Sequence, residues 1–289
     1  MQTVCSECHK ETINNIEPLS DRKGLHLESA NRRFEQKDYP ILEFDPELTS
    51  VINPKEETKD SLKVPEHCVL SFFNDVLKDM NEKGSIIVIG HLRSETGSFP
   101  IYETKFGGKK IAVFHPGVGA PLAAAFLEEL ISLGASKFIV CGGAGVLDRQ
   151  ISAGQLLIPV SAVRDEGTSY HYLPPGREVE ASPLGLRALE NVLTRHNIKY
   201  LLTKTWTTDA FYRETKEKVK LRRSWGCLTV EMEASALFAV AQFRNVTLAQ
   251  VLYAGDDVSG DEWDTRMWMG RRFVREDLLR ISIEACAEL

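Results

Sequence analysis

Several features that would place this 289-residue chain in a special class are missing from its sequence. No apolar run reaches the roughly 18 residues that a bilayer-spanning helix needs. The first residues lack a basic stretch followed by an apolar one, so we expect no signal peptide and a cytoplasmic protein. The 6 cysteines are sparse and lie mostly in apolar segments, which favours reduced thiols over a disulfide scaffold.

An excess of positive charge is also missing. The chain has 35 Lys and Arg against 41 Asp and Glu, which gives a formal net charge of -6. Proteins that bind nucleic acid through its phosphates usually carry a strong positive balance, so we expect no bulk nucleic-acid binding. With 43% hydrophobic and 26% charged residues, the composition is that of an ordinary globular protein.

The well-known nucleotide and metal motifs are absent or incomplete. Neither the dinucleotide fingerprint G-x-G-x-x-G nor a Walker A sequence occurs, which argues against a Rossmann dehydrogenase. Two shorter glycine turns, at 117–119 and 142–145, either bind an anion or simply turn the chain. Cys5-x-x-Cys8-His9 is half of a zinc site, and only His26 is in range for the other half, so we expect no metal.

Beyond about residue 66, strand-like apolar runs alternate with helical patterns. We predict strands at 69–73, 85–90, 99–105, 109–114, 138–141, 155–163, 200–205, 227–230 and 247–254. We predict helices at 74–82, 122–133, 183–196, 214–224, 233–243 and 264–289. This alternation predicts an α/β fold, a three-layer α/β/α sandwich with a mixed central sheet. Residues 1–60 are polar and weakly periodic, so we predict a partly irregular N-terminal arm before a domain at 61–289. Within the arm, the short run P-I-L-E-F at 40–44 is interpreted as a docking strand or a plug.

Three groups of side chains at predicted strand ends have the chemistry of a binding site. Asp256 follows a buried strand directly, which is where α/β enzymes place reactive groups. Glu231 and Glu233 flank a strand-to-helix junction, and a carboxylate buried there needs hydrogen-bond donors that ligand hydroxyls can supply. Phe211 and Tyr212 follow another strand and can stack on a planar ring.

Four arginines cluster near the end of the chain. Two interpretations stay open: a solvated helix face that pairs with Glu276 and Asp277, or a patch that faces an anion. The four are Arg266, Arg271, Arg272 and Arg275.

Taken in order, the segments over about 66–289 resemble the nucleoside phosphorylase-I superfamily. That family contains purine nucleoside and uridine phosphorylases and related nucleosidases. The specific part is V-E-M-E-A-S-A at 230–236, followed by an aspartate 23 residues after Glu233. The segments H-P-G-V-G at 115–119, C-G-G-A-G at 141–145 and T-D-A-F-Y at 208–212 resemble the family's glycine turns and base-contacting aromatics.

The resemblance implies a role for seven residues. Met232 and Glu233 would contact the ribose, and Phe211 would pack against the base with Tyr212 nearby. Asp256 would donate a proton to the leaving base. Two further residues would serve phosphate: Gly143 in a glycine turn, and Arg93, which would reach the site of a neighbouring subunit.

The resemblance also implies an activity and its partners. A nucleoside and inorganic phosphate would give a free base and ribose 1-phosphate, as in purine salvage, with phosphate as co-substrate and no other cofactor. The protein would be a homo-oligomer, as a dimer, trimer or hexamer.

The sequence departs from the family at the places that bind phosphate or read uracil. The segment 71–75 carries no arginine, and Val140 and Gly143 stand where an arginine and a Ser or Thr are usual. Thr215 and Glu217 stand near the usual uracil-reading Gln and Arg. Two alternatives therefore stay open: a nucleosidase that uses water, and a nucleoside-binding protein without catalysis.

Overall fold

The structure, a computed structural model, describes residues 34–57 and 62–289. Residues 37–289 form one compact unit. Most of the predicted arm, including Cys5 and Cys8, lies outside the described residues. Within the compact unit, the Nη1 atom of Arg244 donates a hydrogen bond to the Leu48 carbonyl oxygen at 2.9 Å, so the stretch after residue 36 contacts the domain.

The described part of the chain contains one mixed sheet of ten strands. They are β1 (His67–Ser71), β2 (Ile87–Ser94), β3 (Gly97–Phe106), β4 (Lys109–Phe114), β5 (Lys137–Val146), β6 (Leu156–Asp165), β7 (Glu178–Glu180), β8 (Tyr200–Thr208), β9 (Cys227–Glu231) and β10 (Thr247–Asp257).

The strand order is β10-β6-β8-β9-β5-β1-β4-β3-β2, and β7 pairs with β6. Strand β10 also pairs with β5, so five strands close into a ring at one end of the sheet. The pairs of β1 with β4 and β5 are parallel, as are β5–β10, β6–β8 and β8–β9. Every residue of β1 is buried, as expected for a parallel strand covered on both faces.

Helices cover the sheet in packed pairs. They are α1 (Pro54–Glu57), α2 (Asn74–Glu82), α3 (Ala120–Ser132), α4 (Pro183–Arg195), α5 (Lys216–Ser224), α6 (Ala234–Phe243) and α7 (Arg272–Glu288). Helix α4 packs on α7, and α3 packs on α6. The predicted three-layer α/β/α sandwich with a mixed sheet is confirmed.

Two predicted elements differ from the structure. The last helix begins at Arg272 instead of Asp264, because Asp264 forms a backbone bridge with Asp257 and Met267 has a φ of 50°. The run at 40–44, predicted as a docking strand or a plug, contains a 3-10 turn at Pro40–Leu42 and no strand. At 264–271 the local sequence favours a helix, but the tertiary bridge between Asp264 and Asp257 overrides this preference.

Two further findings concern the state of the cysteine side chains and the apolar character of the helices. Cys68, Cys141, Cys227 and Cys286 are free thiols buried in the fold. In the described part of the chain, no helix combines the length and the apolar character needed to cross a membrane.

Candidate functional site

A cavity of about 860 Å³ opens at the C-terminal ends of β5, β9 and β10. This volume is in the range of small-molecule sites, and the ends of sheet strands are where α/β folds bind ligands. Six of the seven predicted site residues line it: Gly143, Phe211, Tyr212, Met232, Glu233 and Asp256. The fold therefore brings together residues that are separated by more than 100 positions in sequence.

Glu233 is a buried carboxyl in the wall of this cavity. The backbone N–H of Gly119 donates a hydrogen bond to its Oε1 atom at 2.5 Å. Gly119 adopts a φ of 95°, which favours glycine, and this conformation places its N–H beside the carboxyl. Burial and the nearby Glu231 charge raise the pKa of Glu233.

Glu231, two residues earlier, is buried for a structural reason. Its Oε1 accepts from the Thr207 hydroxyl at 2.6 Å, and its Oε2 accepts from the backbone N–H groups of Glu233 and Ala234, both at 2.7 Å. These bonds satisfy the free N–H groups where α6 begins. Both glutamates of the motif are thus buried, and Glu231 fixes the backbone that carries Glu233.

The neighbours Asp256 and Asp257 have different surroundings. Asp256 is half-buried, lines the cavity and accepts a hydrogen bond from the indole N–H of Trp263 at 2.6 Å. Asp257 is buried and pairs with Arg266 at 2.7 Å, which holds the loop after β10. The structure therefore leaves Asp256 available to a ligand and assigns Asp257 to the fold.

Glu214 is a cavity residue that sequence reasoning missed. It was predicted only as the start of a charged helix, whereas α5 begins at Lys216 and Glu214 lines the cavity. Burial and the charge of Asp256 raise the pKa of Glu214 to about 7. Its only signal in the sequence is its position three residues after Phe211.

Phe211 and Tyr212 form an aromatic surface at the cavity. They begin a 3-10 turn, Phe211–Arg213, and their ring centroids lie 4.1 Å apart. Phe211 is 49% exposed and Tyr212 is 89% exposed, so both rings are accessible to a planar ligand.

Gly143 leaves room for the ring of Tyr253. A Cβ atom at position 143 would lie 2.9 Å from that ring, closer than any real contact, so no other residue fits without a shift. This explains why a Ser or Thr is absent here: the Tyr253 side chain occupies its space.

Arg93 does not line the cavity of its own chain. It lies exposed on β2, opposite Ser98 of β3, near the edge of the sheet. Its predicted role toward a neighbouring subunit stays a prediction. In residues 34–57 and 62–289, no three His, Cys, Asp or Glu side chains are grouped so that they could hold a metal ion.

Comparison with known proteins gives related sequences over much of the chain. A guanosine phosphorylase from Halorubrum lacusprofundi is 26% identical over 204 residues, 68% of this chain and 84% of that protein. A uridine phosphorylase from Treponema pallidum is 32% identical over 196 residues, 61% of this chain and 71% of that protein.

Solved structures show the same fold. Purine nucleoside phosphorylase from Toxoplasma gondii, in complex with immucillin-H, has a TM-score of 0.68 and 21% identity, and covers 81% of this chain and 92% of its own. AMP nucleosidase from Bacteroides thetaiotaomicron has a TM-score of 0.64 and 22% identity. The match covers 78% of this chain and 88% of the nucleosidase chain.

The family model described as the phosphorylase superfamily matches residues 67–276, which include every strand and the whole cavity wall described above. Together with the strand-end site and the shared fold, this match shows that the chain belongs to the phosphorylase superfamily.

Proposed function

We propose that this protein cleaves the N-glycosidic bond of a nucleoside by phosphorolysis, which gives a free base and ribose 1-phosphate. The observation that carries the proposal is one cavity that holds a buried carboxyl, an aromatic surface and a second carboxyl at separate points of its wall: Glu233, Phe211 with Tyr212, and Asp256. The guanosine and uridine phosphorylases among its relatives support the same chemistry.

Glu233 and Met232 are the proposed sugar-binding residues. Cleavage builds positive charge on the sugar ring, and a carboxylate on the sugar hydroxyls orients the ring as that charge develops. Glu233 suits this role because Gly119 holds one of its oxygens in place. The donors it needs to become an anion are the hydroxyls of the ribose.

Asp256 is the proposed proton donor to the leaving base, and Phe211 and Tyr212 are the proposed base-stacking residues. The base leaves with negative charge, which a proton from a carboxylic acid neutralises; such general acids contribute about 10²- to 10⁴-fold to rate. Glu214 shares the cavity and has a pKa of about 7, so it holds a proton over part of the neutral pH range.

Hydrolysis by water is the second candidate. The segment 71–75 has no arginine, Val140 is buried in β5, and the Tyr253 ring fills the space beside Gly143. These positions therefore lack the phosphate contacts that the family resemblance implies. If no other side chain supplies the missing positive charge, their absence favours a nucleosidase.

The test is chromatography of a panel of purine and pyrimidine nucleosides incubated with the purified protein, with and without inorganic phosphate. Base release that requires phosphate, with ribose 1-phosphate as co-product, is the expected result. Base release in both arms would make the protein a nucleosidase. No release from any nucleoside would contradict the proposal and favour a binding protein.

The proposal includes the organisation of the chain. Residues 61–289 form the catalytic domain, preceded by an arm at residues 1–60. The enzyme acts in the cytoplasm in nucleoside metabolism such as purine salvage, uses phosphate without another cofactor, and assembles as a homo-oligomer. The four buried free cysteines support a reducing location.

A further inference from the structure

The charged side chains that line the cavity are mostly acidic. Six of them are Glu214, Glu231, Glu233, Asp256, Asp261 and Glu262, and the cations among the described lining residues are Lys216 and Arg275. A ligand anion that enters such a cavity needs a positive group to offset these charges. The two cations are therefore the candidates for holding an anion.

Lys216 and Arg275 differ in burial and in their partners. The Lys216 side chain is 66% exposed and pairs with Asp261, which is 93% exposed, so this pair lies in solvent. The Arg275 side chain is 14% exposed. A charge inside a low-dielectric wall acts on a ligand far more strongly than a solvated one.

The guanidinium group of Arg275 has donor capacity left over. Its Nη1 binds the Asp75 carboxylate at 2.9 Å and 3.1 Å, and it lies 5.2 Å from the centroid of the Phe73 ring. Its Nε atom is buried and has no hydrogen-bond partner among the described residues. A buried N–H without a partner costs free energy, which an incoming acceptor recovers.

The neighbours of Arg275 connect it to the glycine turn of β5. Arg275 lies 5.2 Å from the centroid of the Phe73 ring, and that centroid lies 5.9 Å from the centroid of the Tyr253 ring. Burial raises the pKa of Tyr253, and the nearby charge of Arg275 opposes that rise. The ring of Tyr253 fills the space where a Cβ of Gly143 would lie. Arg275, Tyr253 and Gly143 thus form a continuous part of the cavity wall.

A second buried polar group in the cavity wall has an open bonding position. Gln250 is 1% exposed, lines the cavity, and its Oε1 has no hydrogen-bond partner among the described residues. Hydrogen phosphate carries both acceptor oxygens and one O–H donor. Its oxygens suit the arginine N–H groups, and its O–H is the kind of donor that a buried amide oxygen needs.

We infer that Arg275 is the anion-binding side chain of this cavity and takes the phosphate co-substrate, which it holds beside Tyr253 and Gly143. This inference rests on the proposed phosphorolysis. Arg275 lies on α7, near the end of the chain. It pairs with Asp75 of the segment 71–75, which contains no arginine. Planar guanidinium groups bind phosphate oxygens through paired N–H donors, which makes arginine suited to this task.

The test compares Arg275→Met with a matched control, Arg272→Met. Arg272 lies on the same helix and also pairs with an α2 carboxylate, Asp79, at 2.8 Å, but it does not line the cavity. We expect Arg275→Met to lower kcat/KM for phosphate about 10- to 100-fold, the loss of a charge-assisted hydrogen bond, with the nucleoside KM unchanged. Arg272→Met should leave both values unchanged.

Asp75→Asn separates anion binding from a purely structural ion pair. If Arg275 only joins α7 to α2, Asp75→Asn should harm the enzyme as much as Arg275→Met does. If Arg275 binds phosphate, the amide leaves its charge less compensated, and phosphate binding should be kept or become tighter. Equal losses in the two variants, or an unchanged phosphate dependence in Arg275→Met, would overturn the inference.

A binding measurement keeps this test separate from the proposed reaction. Calorimetric titration of the nucleoside-free protein with inorganic phosphate, at constant ionic strength, needs no turnover. We expect a heat of phosphate binding in the wild type and in Arg272→Met, and no such heat in Arg275→Met. A wild type that binds phosphate through Arg275 but releases no base would contradict the reaction alone; one that binds no phosphate would contradict Arg275.

Discussion

At the scale of single residues, two neighbouring aspartates have different tasks because their partners differ. Asp256 accepts a hydrogen bond from the indole N–H of Trp263, whereas Asp257 accepts one from the guanidinium group of Arg266. The hydrogen bond from Trp263 orients Asp256, which lines the cavity. Asp256 is thus the member of the pair that we propose as the proton donor to a ligand.

We expect Asp256→Asn to lower kcat about 100-fold or more while nucleoside binding is retained, because an amide of the same shape donates no proton. Steady-state kinetics and equilibrium binding of the nucleoside measure the two effects. Asp261→Asn is the control, since Asp261 also lines the cavity but is exposed and paired with Lys216. A parallel loss of binding in Asp256→Asn would contradict its role as proton donor.

Glu214 predicts a pH dependence of activity. Its pKa of about 7 means that it holds a proton below pH 7 and is ionised above it, which adds a negative charge to the cavity wall beside the leaving base. We expect kcat to fall as pH rises through 7 and beyond. In Glu214→Gln, the fall of kcat near pH 7 should disappear. If kcat still falls at the same pH, Glu214 is not the group responsible.

At the scale of elements, the turn into α3 holds Glu233, the proposed sugar-binding carboxyl. Gly119 is the N-cap of α3, and its N–H reaches Glu233 across 114 positions of sequence. The junction between β9 and α6 is held from the other side by Glu231. Two helix starts therefore meet at one carboxyl, and the position of each depends on the other.

Substitution of Gly119 tests this coupling. Gly119→Ala meets no atom within 4 Å but strains a φ of 95°, so we expect a loss of about 1–3 kcal/mol in stability and a raised nucleoside KM. Gly97→Ala is the control, because Gly97 also has a positive φ and open space but lies in the β2–β3 turn away from the cavity. Equal KM values in the two variants would show that the Gly119 N–H does not position Glu233.

At the scale of the whole molecule, buried carboxyls make stability depend on pH. The pKa of Glu233 is raised by burial, so the folded state keeps a proton that the unfolded chain loses above its ordinary value of 4.5. At this site the folded state then binds more protons than the unfolded state. The contribution of Glu233 to the free energy of unfolding therefore falls as pH rises above about 4.5.

Urea unfolding of the nucleoside-free protein at pH 5, 7 and 9 checks this sign. Glu233→Gln cannot ionise, so we expect its free energy of unfolding to gain on the wild type as pH rises. Glu217→Gln, an exposed glutamate on α5, should follow the wild type at each pH. A constant difference between Glu233→Gln and the wild type would mean that Glu233 is ionised throughout.

The second prediction at this scale concerns assembly. Arg93 and the exposed Ile87 and Val88 lie on β2, an edge strand, where they can meet another copy. We expect light scattering to show a homo-oligomer, and Arg93→Met to raise the phosphate KM. A monomer with full activity would remove the proposed role of Arg93.

The sequence by itself determined the elements and most of the site. Helix α2 and the β3–β4 hairpin follow from local signals, namely apolar period and the glycines at 107 and 108. The E-M-E segment and the aspartate 23 residues after Glu233 led, through the family resemblance, to the proposed sugar-binding and proton-donor positions, and both line the cavity. These features are readable because each depends on residues close together in the chain or on a fixed spacing.

Only the tertiary structure decided which side chains share the cavity. Local propensity predicted a helix from Asp264, but the bridge from Asp264 to Asp257 and the left-handed Met267 delay α7 to Arg272. That delay and the packing of α7 on β1 and β5 bring Arg275 to Tyr253, 200 positions after its partner Asp75. Glu214 likewise gains its raised pKa from burial beside Asp256. Burial and long-range contact have no local pattern, because they depend on where the whole chain folds.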